Sequence, residues 1–146
     1  MTGSFDLTGK SALVTGASSG LGAHFAHRLA AAGASVLITA RRQEALAKVA
    51  ASIEADGGQC TLATLDVTDS RSIAALGDKL AVDILVNNAG IVGEGRALDI
   101  TEESWDATLD TNLKGTFLMS QAVAAARKGH DTSIINIASI LGDRKS

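Results

Sequence analysis

The eight-residue stretch TGASSGLG, Thr15 to Gly22, follows the apolar run ALV and holds three glycines, Gly16, Gly20 and Gly22. Glycine has no Cβ, so it lets the chain turn tightly and lets a ligand reach the backbone. Exposed N–H groups at a helix start, reinforced by the helix dipole, favour an anion such as a pyrophosphate. The spacing is Gly-x-x-x-Gly-x-Gly, not Gly-x-Gly-x-x-Gly, and the competing reading is an ordinary glycine-rich connection. An acid about 20 residues further on would hold a ribose 2′-hydroxyl, whereas an arginine there accommodates a 2′-phosphate. Counting from Gly20 lands on Ala40, with Arg41 and Arg42 immediately behind it. A planar guanidinium pairs well with phosphate. The pair therefore favours NADP over NAD, with NAD as the alternative. The blander reading has both arginines solvating a helix start, where cations oppose the dipole. Glu44 could reach a ribose but sits a turn into that helix.

These residues need a frame. Short apolar runs predict strands at 11–15, 35–40, 60–67, 83–90 and 133–139. Between them, helical patterns cover 21–32, 43–56 and 69–80, and a long region from Thr101 to Lys128 is expected to bend near Trp105. Alternation of this kind builds a parallel sheet with helices on both faces, an α/β fold. Right-handed crossovers leave the doubly wound strand order 3-2-1-4-5 as the leading topology. Ligands bind such sheets at the carboxyl ends of the strands. The glycine loop ends the first strand and Asn87–Gly90 ends the fourth, so the crevice opens between them.

Composition narrows the classes further. The chain has 146 residues, 46% hydrophobic and 20% charged, which fits one globular domain spanning 1–146. The net charge is −3 and the basic residues are scattered, so neither nucleic acid nor an anionic membrane is an expected partner. No apolar run approaches the roughly 18 residues of a membrane span, and MTGSFDLTGK lacks the pattern of a secretion signal. The single cysteine, Cys60, cannot form an internal disulfide and reads as a core thiol, which suits a cytoplasmic protein. His24 and His27 share a helix but have no third ligand in a metal-binding pattern, so no metal is expected.

Five motifs in order make the chain resemble the classical short-chain dehydrogenase/reductase family. They are Thr15-Gly16-x-x-x-Gly20-x-Gly22, Asp66 with Val67, Asn87-Asn88-Ala89-Gly90, Asn112 in TNLKG, and Ser139 in IINIAS. The resemblance implies a Rossmann-type fold and runs to about Gly142. It implies that Gly16, Ser18, Ser19, Gly20, Leu21 and Gly22 wrap the cofactor phosphates. Arg41, with Arg42 beside it, would take the 2′-phosphate. Asp66 and Val67 would bracket the adenine, and Asn88, Ala89 and Gly90 would line the ribose and nicotinamide side. Asn87 would tie neighbouring strands together. Ser139 would hydrogen-bond a substrate carbonyl, and Asn112 would support a proton relay.

The resemblance also implies a Tyr-x-x-x-Lys motif about a dozen residues past the serine, supplying the proton for a new alkoxide. The sequence contains no tyrosine. The expectation is a C-terminally incomplete domain, lacking the family's later strands and helices and inactive alone, with the tail LGDRKS departing from the family pattern. Three functions compete. One is an NADP-preferring reductase acting on a small ketone or secondary alcohol. Another is a non-catalytic dinucleotide-binding module. The third is an interaction protein that docks on a full-length relative through the bare edge of its fifth strand and its Asn112-bearing fourth helix. The resemblance implies oligomers built on the fourth and fifth helices, of which only the fourth is expected here.

Overall fold

The structure, a computed structural model, describes residues 5–93 and 95–139. The tail LGDRKS, with Lys145, lies outside the described residues.

Five strands form one parallel sheet: β1 Ser11–Thr15, β2 Ser35–Ala40, β3 Gln59–Thr64, β4 Ile84–Asn87 and β5 Ser133–Asn136, in the order β3-β2-β1-β4-β5. The doubly wound expectation holds. Side chains alternate across a strand, so each strand feeds two cores. Ala12, Val14, Val36, Ile38 and Val86 face α1 (Gly20–Ala31) and α2 (Gln43–Ala55), meeting Ala26, Ala30, Leu46 and Ile53. Leu13, Leu37 and Leu85 face the other way, onto Ile73, Leu76, Leu80, Met119 and Val123. Full burial of each large aliphatic side chain stabilises the fold by roughly 1.5–3 kcal/mol before conformational entropy is subtracted. Both cores are thus anchored in β1, and the glycine loop leaves from its carboxyl end.

Several boundaries differ from the sequence reading, each for a local reason. The third strand stops at Thr64 because the chain turns at Asp66, whose Oδ1 accepts from the amide and hydroxyl of Thr68 at 2.9 and 2.7 Å. The predicted helix at 69–80 divides into α3 (Ser70–Ala74), capped by Asp69 accepting from the Arg71 amide, and a 3-10 turn, Gly77–Leu80. Gly77 sits at φ +52°, a left-handed conformation that ends the helix. The fourth strand ends at Asn87, since the next two amides turn to a side chain of β1. Cys60 is half-buried on the edge strand rather than a core thiol.

The long helical region is continuous but changes character. Thr101 accepts from the Ser104 amide and caps α4 (Glu102–Leu109). A π-helical turn, Asp110–Gly115, follows, and α5 (Thr116–Ala126) completes the region. The irregularity falls at Asp110–Gly115 and not at Trp105, which is 58% exposed and anchors no bend. Extra-wide turns of this kind often occur at functional sites.

At the opposite end of the sheet, Asp83 joins three elements. Its Oδ2 accepts from the Ser11 amide and hydroxyl at 2.8 and 3.0 Å, and its Oδ1 accepts from Arg127 at 2.8 Å. This bond set ties β1 to the start of β4 and to the end of α5.

Candidate functional site

A cleft of about 340 Å³ opens at the carboxyl ends of β1–β4. Gly16, Ser18 and Ser19 form one wall, from the loop between β1 and α1. Arg41 and Arg42 enter from the end of β2, and Asp66 and Val67 from the end of β3. Asn88, Ala89 and Gly90 enter from the end of β4. Four strand ends thus bring together residues separated by more than seventy positions in sequence.

Two glycines of the loop explain its shape. Gly16 has φ +64°, and a Cβ there would lie 2.8 Å from the Ala89 Cα. Gly22 is buried, and a Cβ on it would strike the Gly16 carbonyl oxygen and come within 2.5 Å of Asn88 Nδ2. Both positions lack side chains because the β1 loop, the start of α1 and the end of β4 press together. Gly20, at φ +56° with open space around it, permits the turn into α1. Gly20, Leu21 and Gly22 do not line the cleft. Leu21 is 61% exposed, and Gly22 acts by letting the helix approach.

Thr15 and Asn88 hold the two central strand ends together. The buried Thr15 Oγ1 accepts from the Asn88 and Ala89 amides, both at 3.0 Å. Asn88 Nδ2 donates back to the carbonyls of Thr15 at 3.1 Å and Gly16 at 3.2 Å. Asn87 does the same between β4 and β5, donating through Nδ2 to Asn136 Oδ1 at 2.9 Å and to Ser120 Oγ at 3.0 Å. The NNAG segment therefore acts through side chains on one strand and through backbone on the next.

The arginines differ. Arg42 Nη2 donates to Ser18 Oγ at 3.2 Å and to Ser19 Oγ at 3.4 Å, which places its guanidinium against the glycine loop. Arg41 lines the same cleft from the preceding position. The resulting site has two cations, two hydroxyls and the N-terminus of α1 on one side, with no carboxylate from the end of β2. That donor set suits a phosphorylated ribose beside a pyrophosphate.

Asn112 and Ser139 lie outside the cleft lining. Asn112, in the π turn, accepts from the Ile91 amide through Oδ1 and donates to the Ile91 carbonyl through Nδ2, each at 2.8 Å. It reaches the site through the loop that follows Gly90. Ser139 is exposed, three residues beyond β5 and on the same carboxyl side of the sheet. Sequence reasoning missed Ile91 and Thr111, which also line the cleft. It also missed the role of the Thr15 hydroxyl. Adjacency was the available signal, since Thr111 precedes Asn112, Ile91 follows Gly90, and Thr15 ends a buried strand.

A family model described as short chain dehydrogenase matches residues 10–146. The chain belongs to the short-chain dehydrogenase family. It is 40% identical over 146 residues to a 2-dehydro-3-deoxy-D-gluconate 5-dehydrogenase of Dickeya dadantii, covering 94% of this chain and 56% of that protein. Among solved structures, a short-chain type dehydrogenase/reductase from Mycobacterium marinum superposes with a TM-score of 0.92 at 40% identity, covering 97% of this chain and 59% of the other. A variant actinorhodin polyketide ketoreductase solved with NADPH gives a TM-score of 0.88 at 34% identity, covering 94% and 56%. The chain thus spans little more than half the length of the relatives it matches. Among the described residues, no helix is long and apolar enough to cross a membrane, and no group of three or more His, Cys, Asp or Glu is placed to hold a metal ion.

Proposed function

We propose that this chain is the cofactor-binding half of an NADP-preferring short-chain dehydrogenase/reductase whose substrate is a small ketone or secondary alcohol. The observation that carries this reading is the position of Arg42, held on Ser18 and Ser19 at the mouth of the glycine loop. Its positive charge stands where a 2′-phosphate would meet it, and no acid from the end of β2 competes. A bound nicotinamide would supply a hydride to a carbonyl carbon, or accept one from a carbinol carbon in the reverse direction.

The chain's own residues have divided roles. Gly16, Ser18, Ser19 and the α1 N-terminus hold the phosphates, while Gly20 and Gly22 shape that loop. Leu21 contributes its backbone, its side chain being turned to solvent. Arg41 and Arg42 hold the 2′-phosphate. Asp66 and Val67 flank the adenine, and Asn88, Ala89 and Gly90 border the ribose and nicotinamide. Ser139 hydrogen-bonds the substrate carbonyl, and Asn112 supports proton delivery from the π turn.

The 146 residues contain no tyrosine, so they hold no phenol to protonate an alkoxide. Alone they are expected to bind cofactor and not to reduce a carbonyl. A second reading, a non-catalytic dinucleotide-binding module, needs only the cleft residues between Gly16 and Arg42 and between Asp66 and Gly90. Two surfaces suit association with another chain: the exposed β5 edge with Ile134 and Ile135, and the apolar stripe Leu109, Leu113 and Phe117 on the π turn and its flanking helices. The compartment that fits a single free thiol and an NADP-dependent reaction is the cytoplasm.

Carbonyl reduction by the 146-residue chain, followed as NADPH absorbance with a panel of small ketones, tests the role given to the absent tyrosine. No turnover with retained NADPH binding supports the half-enzyme or binding module. Turnover above a no-protein control contradicts the role given to the absent tyrosine.

A further inference from the structure

Gly115 closes the π turn in an ordinary helical conformation, φ −59° and ψ −43°. Nothing in its backbone calls for glycine, and alanine is the better helix former. Its surroundings supply the reason. A Cβ on Gly115 would lie 2.7 Å from Val67 Cγ2, 3.1 Å from Val67 Cβ and 3.3 Å from the Asp110 carbonyl oxygen. Val67 is β-branched and stiff at χ1. Its Cβ cannot move without its backbone, so a side chain at 115 would displace the residue as a whole. Val67 is 7% exposed and lines the cleft beside Asp66. The same π turn puts Thr111 into the cleft wall and grips Ile91 through Asn112.

We infer that Gly115 is a positioning residue for the nucleotide cleft: its missing side chain sets how far Val67 stands into the wall that receives the adenosine half. The inference rests on the dinucleotide reading above. In this strand order, a phosphate at the glycine loop and a 2′-phosphate at the end of β2 direct the attached base toward β3, where Leu65, Asp66 and Val67 stand. Gly115 touches the back of that wall. It acts on affinity through Val67 and does not meet the ligand.

The test is a double-mutant cycle on the 146-residue chain with Gly115→Ala, Val67→Ala and both together. Each is titrated with NADPH and NADH by fluorescence and melted without ligand. Gly115→Ala is expected to weaken both nucleotides about tenfold, the scale set by overpacking a stiff wall. The NADPH-to-NADH ratio stays unchanged, because the arginines are untouched. Restoring the space with Val67→Ala should make alanine at 115 nearly silent, within about twofold of Val67→Ala alone. If Gly115→Ala does not fold, a double variant that folds and binds at that level supports the inference by itself. A double variant that also fails to fold overturns it. Unchanged affinity in Gly115→Ala, or a loss that Val67→Ala does not relieve, overturns it as well. Wild-type chain that binds neither nucleotide removes the dinucleotide reading, and this inference falls with it.

Discussion

Asn112 and Ile91 form a reciprocal pair: side-chain amide to backbone amide, two hydrogen bonds of 2.8 Å. One partner lies in the π turn and the other in the loop leaving β4, beside Gly90. The pair fixes the end of the cleft to the long helical region. Asn112→Ala removes both bonds, each worth about 1 kcal/mol net. The expected result is weaker NADPH binding in a titration, with a melting temperature lowered by only a few degrees. Asn112→Asp keeps the acceptor but loses the donor and should fall between the two.

Thr15 should matter more than its size suggests. Thr15→Val keeps the shape but leaves the half-buried Asn88 and Ala89 amides without their acceptor. Two stranded donors should cost about 2 kcal/mol or more of unfolding free energy. Thr15→Ser retains the oxygen and should lose much less. Urea melts of the two variants make the comparison directly.

Gly22→Ala is expected to destabilise the fold by about 1–3 kcal/mol through overpacking. The new methyl would meet the Gly16 carbonyl and the Asn88 side chain, so the loop must shift as well. Thermal melts should show the loss, and NADPH titration should show weaker binding in the protein that is folded.

Asp83 predicts an acid limb in stability. The Ser11 backbone amide holds its carboxyl below the usual range; the Ser11 hydroxyl and the charges of Arg127 and Lys10 assist, while burial opposes. A carboxylate with a depressed folded pKa stabilises the fold above its unfolded pKa. That contribution disappears as pH falls through the folded value. Asp83→Asn should cost about 2 kcal/mol near neutrality, given the hydrogen bonds made to the charged form. The gap between variant and wild type should close as pH falls below about 4. Denaturant melts across pH give both curves.

The sheet was readable because each strand is a short apolar run bounded by glycine or polar residues, and because alternation with helices permits few topologies. Strand lengths were less readable. Asp66 and Thr15 end strands through side-chain bonds to amides that a linear pattern does not reveal. The π turn was missed because nothing in DTNLKG departs from helical composition, and the residues it meets, Ile91 and Val67, are remote in sequence. Gly16, Arg41 and Arg42 followed from the glycine spacing and the count of about 20 residues beyond it, whereas Ser18 and Ser19 were named through family resemblance. Asp66, Val67, Asn112 and Ser139 were named through family resemblance. The clasp of Arg42 on Ser18 and Ser19 needed coordinates, because the strand order decides which loops meet.

The most direct test of the account is a fluorescence titration of the 146-residue chain with NADPH and NADH, repeated for Arg41→Ala and Arg42→Ala. The account predicts tighter binding of NADPH, and a selective loss of NADPH affinity in Arg42→Ala with NADH spared. Equal affinity for both nucleotides in the wild-type chain, or an equal loss of both in Arg42→Ala, would contradict it.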